Sequence, residues 1–324
     1  MVGKDPWQND EYAPDNLGTK NCGESDHHER TSQCRCDHRR SSFPSVARRR
    51  EAAMPVSIAT RVRHEFDLAR QCRKELRNWP AVLIRVGLNH LGWSHGVFTV
   101  TSRGGVTLRA PNHRTSWWSL VDVLVLDDYR LRDVSWEDPF AVRTALVIGA
   151  NVGSFTCALA ARLPEATFTC VEPSPSTLTW LRLNLARNGL TGRATVVPAA
   201  LAEADGETEL WASENAFSSA SLSPRKGGMV TVQGMSFGSL VATAGGKAEI
   251  VSLSCLGGEL AAIAEAYAEV WATVEQLFLE YGPTASQHFE EMRARLGRFG
   301  LDLVWHHRIA RFPGSGKAYF ARAR

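Results

Sequence analysis

Apolar side chains recur at helical spacing from Ser57 to about His90. Ile58, Val62, Phe66, Ala69, Cys72 and Leu76 form one stripe, and a second run follows Trp79 and Pro80 through Leu83, Ile84, Val86, Leu88 and Leu91. This spacing predicts two helices, parted at the proline, which a helix interior does not accommodate. Residues 98–101 and 105–109 alternate in a β pattern around Ser102, Arg103, Gly104 and Gly105, a hairpin signal. Trp117, Trp118, Leu120, Val123, Leu124 and Val125 then lead into Asp127, Asp128 and Tyr129. These aromatics are expected in core or lid packing, and the wall of a substrate pocket is the other reading.

Beyond Phe140 short apolar runs alternate with amphipathic stretches. Residues 144–149, 167–172 and 194–198 read as strands, and 154–162 and 176–188 as the helices between them. That β-α-β-α-β succession predicts an α/β fold with a doubly wound parallel sheet. The pattern continues with edge strands at 207–212 and 229–233, a strand at 250–253, a helix at 259–271, a strand at 274–280 and a helix at 289–299. Residues 303–306 and 318–321 are expected to close the sheet as an antiparallel hairpin. No internal repeat is visible.

Composition separates the start of the chain from the rest. Apolar residues make up 44% of the 324 residues but only 14 of the first 53, which carry nine basic and nine acidic side chains without period. Such a segment cannot offset the entropy of ordering itself, so residues 1–53 are expected to be a disordered tail. Met54, just after the basic run Arg48 to Arg50, is a second candidate start. The tail holds Cys22, His27, His28, Cys34, Cys36 and His38 without the paired spacing of zinc ribbons, and no metal site is assigned. Three parts are thus expected: the tail, a helical and hairpin region at 55–140 on the substrate side, and the sheet domain at 141–324.

Thirty-seven basic against 34 acidic residues leave a net charge of +3, too small a field for a dedicated nucleic-acid binder. Seven scattered cysteines do not form a disulfide framework. No apolar run reaches the ~18 residues of a membrane span, and no apolar core follows a basic region at the start. A cytoplasmic protein with a small-molecule partner, and neither nucleic acid nor membrane, is the expectation; oligomeric state is open.

The most informative segment runs from Leu146 to Phe155, a strand entering a glycine-bearing turn and then a helix. Ligands of open α/β sheets bind at the carboxyl ends of strands, where glycine lets the backbone approach them. Gly149 and Gly153 stand four apart around Asn151, which fits neither the dinucleotide spacing, which would place glycines at 149, 151 and 154, nor a phosphate loop. The next strand ends at Glu172 and Pro173. A carboxylate there can accept both ribose hydroxyls of a nucleoside cofactor, NAD or S-adenosylmethionine alike.

Gly149 to Thr156, Val171 to Pro175, Asn184 to Leu190, Pro198 to Leu201 and Asp205 to Leu210, taken in order, resemble the successive blocks of FkbM-type methyltransferases. The resemblance covers about residues 144–260, with weaker echoes at 278–281 and 316–320. It implies a Rossmann-like class I methyltransferase sheet, S-adenosyl-L-methionine as cofactor, and methylation of a hydroxyl on a sugar or specialised metabolite. It also implies cofactor contacts from Gly149, Ala150, Asn151, Gly153 and Phe155 of the turn, from Glu172 and Pro173, and from Ala199 and Ala200 beside the adenine. The chain departs from the family pattern at Val147, where an acid is usual, and at Ser252, Ser254 and Leu256, where Lys, Asp and Glu are usual. On those departures a catalytically silent ligand- or protein-binding domain is the alternative.

An alcohol acceptor must lose a proton, and a positioned base typically contributes about 10²–10⁴-fold. Glu259, Glu280 and His288 are the candidates, each with a structural alternative: a helix amino terminus for Glu259, an arginine partner for Glu280, a solvent-facing helix position for His288. Cys157 and Cys170 are expected in the core, and Cys255, near the crevice, is a weaker candidate for a reactive thiol. The serine-rich stretch from Asn215 to Leu222 reads as a loop.

Overall fold

The computed structural model describes residues 58–323, apart from 94, 113, 135, 137, 213–227, 256, 310, 311 and 313. The tail with its cysteine and histidine cluster, the serine-rich stretch and Leu256 lie outside the described residues. Two helices, α1 (Ile58–Glu75) and α2 (Trp79–His90), lead into a hairpin of β1 (Val97–Thr101) and β2 (Thr107–Pro111), followed by α3 (Arg114–Leu124). Pro80 falls in the first turn of α2, where its missing N–H costs nothing.

The sheet domain follows with β3 (Thr144–Ile148), α4 (Ser154–Ala160), β4 (Thr167–Val171), α5 (Pro175–Arg187) and β5 (Ala194–Val197). Next come β6 (Ala200–Leu201), β7 (Gly206–Ala212), β8 (Gly228–Met235), α6 (Phe237–Thr243) and β9 (Ile250–Leu253). The chain closes with α7 (Glu259–Ala262), α8 (Ala268–Trp271), β10 (Gln276–Tyr281), α9 (Pro283–Ser286), α10 (Phe289–Arg298), β11 (Leu301–Arg308) and β12 (Gly316–Arg322).

Seven strands form one sheet in the order β11-β12-β10-β9-β3-β4-β5. Neighbours from β10 to β5 are parallel, and β12 is antiparallel to both β10 and β11. Strand order reverses between β3 and β9, which opens a crevice at their carboxyl ends. The central strands are covered on both faces, hence their largely apolar sequences, with Ser252 of β9 buried among them. Ala145 and Val147 of β3 join the cluster that also holds Leu76, Trp117 and Phe155, whereas Leu146 and Ile148 join the opposite one with Phe237 and Trp271. The first cluster runs unbroken from α1 through the hairpin and α3 to the sheet.

Two expectations are corrected. The strands at 206–212 and 228–235 do not extend the main sheet; with β6 they make a separate three-stranded sheet in the order β6-β8-β7. The helix expected over 259–271 is broken, with Ala264 extended at φ −92° and ψ 151°. Tertiary partners take up the carbonyls that leave the helix: the Trp271 indole donates to Ala262 O at 2.8 Å and the Arg295 guanidinium to Ile263 O at 3.2 Å. Stacking of Trp271 on Phe237, 4.9 Å between centroids, outweighs local helix propensity.

Asn184 and Asn188, one turn apart on α5 and at its end, dock the hairpin onto the domain. Asn188 accepts the Thr107 N–H at 2.9 Å and donates to Thr107 O at 2.8 Å. Asn184 accepts the Arg109 N–H at 2.7 Å, donates to Arg109 O at 2.8 Å, and also donates to Val152 O of the glycine turn at 2.7 Å. Their spacing meets alternate residues of β2, as a neighbouring strand would. Asn184→Ala leaves buried backbone groups without partners, and we expect a loss of about 2–4 kcal/mol in denaturant unfolding; a change below about 0.5 kcal/mol would show that the hairpin docks by apolar contact alone.

Candidate functional site

The turn after β3 is built by three left-handed residues: Gly149 (φ 78°), Asn151 (φ 50°) and Gly153 (φ 85°). A Cβ at Gly149 would stand 1.9 Å from the carbonyl oxygen of Ser254, just past β9. This position therefore has no room for a side chain, and the turn lies directly against the strand across the crevice. Asn151 holds its own conformation by accepting the Val152 N–H at 2.7 Å, a local bond that makes left-handed backbone tolerable for asparagine. Gly149 and Ala150 both donate their N–H to Val171 O at 2.9 Å, which joins the turn to the end of β4.

Glu172 follows β4 and is 7% exposed. Its carboxylate accepts the Asn151 N–H at 3.0 Å and the Ser174 N–H at 2.9 Å. Burial pushes the carboxyl up to about 7, with the Ser174 and Asn151 amides acting in the opposite direction. Pro173 is half-buried beside it. Beyond β5, Ala199 and Ala200 are 1% and 5% exposed. Phe155 opens α4 and meets Tyr129 and Phe278 edge-on at 4.8 and 5.3 Å.

The three carboxylate and imidazole candidates do not come together. Glu280, near the end of β10, is in the crevice: its Oε2 accepts the Tyr129 hydroxyl at 2.5 Å and the Ser254 hydroxyl at 3.2 Å. Glu259 is fully buried and bonds back onto its own loop, accepting the Gly257 N–H at 2.8 Å. His288 lies outside the crevice, partly exposed, with Nδ1 3.2 Å from Glu291. Burial pushes Cys157 and Cys170 up to about 12, and burial together with the Glu259 charge holds Cys255 well above its ordinary value, which disfavours their thiolates.

Lys317, 2% exposed, was not among the expected site residues. Its Nζ stands 3.7 Å from Asp128 Oδ2, 3.7 Å from Glu280 Oε2, and 4.1 Å from the centre of the Tyr129 ring. Glu280, Lys317 and His307 are register partners across β10, β12 and β11, so their side chains share one face. Burial and the Glu280 charge hold the Tyr129 hydroxyl protonated, well above its ordinary range, which makes it a donor. Tyr129 is delivered by a tight loop in which Asp127 and Arg130 are left-handed and Asp127 accepts the Leu131 and Arg132 N–H groups at 2.9 and 3.0 Å. One signal in the sequence pointed to Lys317: it is in phase with the inward-facing Tyr319, where a charge demands a partner. A cavity of about 610 Å³ adjoins the cluster, lined by Leu126, Asp127, Asp128, Arg130, Arg132, Asp133 and His307. Among the described residues no group of three or more His, Cys, Asp or Glu is arranged to hold a metal ion, and no helix is long and apolar enough to cross a membrane.

With β3, β4, β5, β9, β10, β11 and β12 numbered 1 to 7, the sheet runs 6-7-5-4-1-2-3 with only strand 7 antiparallel to its neighbours. This is the class I methyltransferase fold. No protein-family model matches the chain, and no curated protein does. Solved structures resemble it at low identity. An O-methyltransferase family protein from Burkholderia thailandensis is 14% identical over 64% of this chain and 58% of its own, with a TM-score of 0.38. The methyltransferase FkbM from Methylobacillus flagellatus is 12% identical over 63% of this chain and 53% of its own, with a TM-score of 0.42. M. jannaschii TYW2, solved in complex with AdoMet, is 12% identical over 71% of this chain and 88% of its own, with a TM-score of 0.38. The chain thus spans little more than half the length of the first two proteins, and the likeness is one of fold.

Proposed function

We propose that the protein is an S-adenosyl-L-methionine-dependent O-methyltransferase acting on a hydroxyl of a small polar acceptor, a sugar or specialised metabolite. The observation that carries this reading is Glu172 at the end of β4, fastened by Asn151 to a glycine turn at the point where strand order reverses. That arrangement suits a ribose, and the antiparallel β12 together with the Gly149 and Gly153 spacing sets it apart from a parallel 3-2-1-4-5-6 dinucleotide sheet. Gly149, Ala150, Asn151, Gly153 and Phe155 would face the cofactor from the turn, Glu172 and Pro173 would hold its ribose, and Ala199 and Ala200 would flank its adenine.

The cofactor supplies an electrophilic methyl when bound; the chain's part is to hold the acceptor oxygen in line with it. Such positioning can supply about 7–11 kcal/mol of the barrier. Of the three candidate proton acceptors Glu280 is the one in the crevice, where its Oε2 already accepts the Tyr129 and Ser254 hydroxyls, while Glu259 is turned onto its own loop and His288 faces outward. Residues 55–140 form the acceptor side in this reading, because the loop carrying Asp127 to Asp133 lines, with His307, the polar cavity. The acceptor would be free in solution, with neither nucleic acid nor a membrane taking part, and the protein cytoplasmic.

Calorimetric titration of S-adenosylmethionine and S-adenosylhomocysteine into the full chain tests the reading. Micromolar binding of both is expected, followed by transfer of labelled methyl to a member of a panel of hydroxyl compounds. Absence of binding at millimolar nucleoside would instead favour a silent, partner-binding domain, the second reading that Val147, Ser252 and Ser254 leave open.

A further inference from the structure

Strand order gives the crevice a direction. A nucleoside whose ribose sits on Glu172 of the β4 side has its adenine toward β5, at Ala199 and Ala200, so its other arm must run across β3 toward β9 and β10. What waits there is the glycine turn pressed on Ser254, and then Glu280 bonded to the Ser254 hydroxyl. Neighbouring strands are about 4.8 Å apart, so β4 and β10 are separated by roughly 14 Å, a span that the aminocarboxypropyl arm and two glutamate side chains bridge together.

Glu280 is equipped for that end of the ligand. Its Oε2 is taken by the Tyr129 and Ser254 hydroxyls and faces Lys317. No hydrogen bond from a described residue reaches Oε1, and the side chain keeps 25% of its surface exposed. The outcome is a carboxylate fixed in orientation by two hydroxyl donors on one oxygen, with the other oxygen left to a ligand. We propose that Glu280 Oε1 binds the α-ammonium group of the cofactor's methionine arm, with Tyr129, Ser254 and Lys317 as the residues that position it. This deepens the reading of the site as one for S-adenosylmethionine and rests on it.

The test is a cycle between protein and ligand, read by calorimetry on the full chain. S-adenosylhomocysteine carries the ammonium; its deamino analogue and 5′-methylthioadenosine do not. In the wild type the deamino analogue should bind about 10- to 100-fold more weakly than S-adenosylhomocysteine, the range for a hydrogen bond between charged groups. Glu280→Gln should weaken S-adenosylhomocysteine by the same factor and leave 5′-methylthioadenosine within about twofold of wild type, which also reports that the variant is folded. The proposal is overturned if wild type binds the deamino analogue as tightly as S-adenosylhomocysteine, or if Glu280→Gln weakens all three nucleosides alike. Should none of the three bind the wild type, the cofactor reading itself fails, and that result cannot be confused with the other two.

Discussion

Glu172→Ala should reduce affinity for S-adenosylhomocysteine by about 10²–10⁴-fold. Two hydrogen bonds to a charged acceptor are removed, at roughly 1.5–3 kcal/mol each, and the Asn151 N–H that the carboxylate holds at 3.0 Å loses its partner, so the turn is released as well. A loss smaller than about fivefold by calorimetry would place the ribose elsewhere. The same group sets a pH dependence. Burial raises Glu172 to about 7, and ribose hydroxyls donate to the ionised form, so affinity should be full above pH 7 and fall about tenfold per unit below it. In the ligand-free protein the sign is opposite. The folded state holds its proton to higher pH than the unfolded chain does, so stability declines as pH rises from about 4.5 to about 7. Binding that strengthens with pH while the free protein weakens is a pairing that a surface carboxylate would not produce.

Gly149→Ala is expected to be the most damaging single substitution in the turn. The new Cβ would lie 1.9 Å from Ser254 O and 2.7 Å from its carbonyl carbon, on backbone at φ 78°. Left-handed geometry alone costs about 1–2 kcal/mol, and forcing β3 and β9 apart adds roughly 1–3 kcal/mol of overpacking. Together these predict a fall in melting temperature of about 10 °C and loss of nucleoside binding. Gly189→Ala provides the control, since Gly189 has φ 71° but nothing within 4 Å of a Cβ, so it isolates the backbone term. Equal melting temperatures for the two variants would mean that Ser254 moves aside freely and that the close approach is not what places the turn.

The sequence by itself determined the parallel core of the sheet, the glycine turn and Glu172. Each is written in a short stretch of chain: strands covered on both faces are mostly apolar, a left-handed turn favours glycine or asparagine, and an acid ending a strand falls at the strand's carboxyl edge. The assembly of Glu280 with Tyr129, Ser254 and Lys317 was decided only by the tertiary structure. These residues are separated by 151, 26 and 37 positions along the chain, and their meeting depends on β12 entering antiparallel beside β10 and on a tight loop carrying Tyr129 over that face. The same physics turned Glu259 away and broke the helix at Ala264, where the Trp271 indole and the Arg295 guanidinium supply distant partners for carbonyls that local spacing had assigned to a helix.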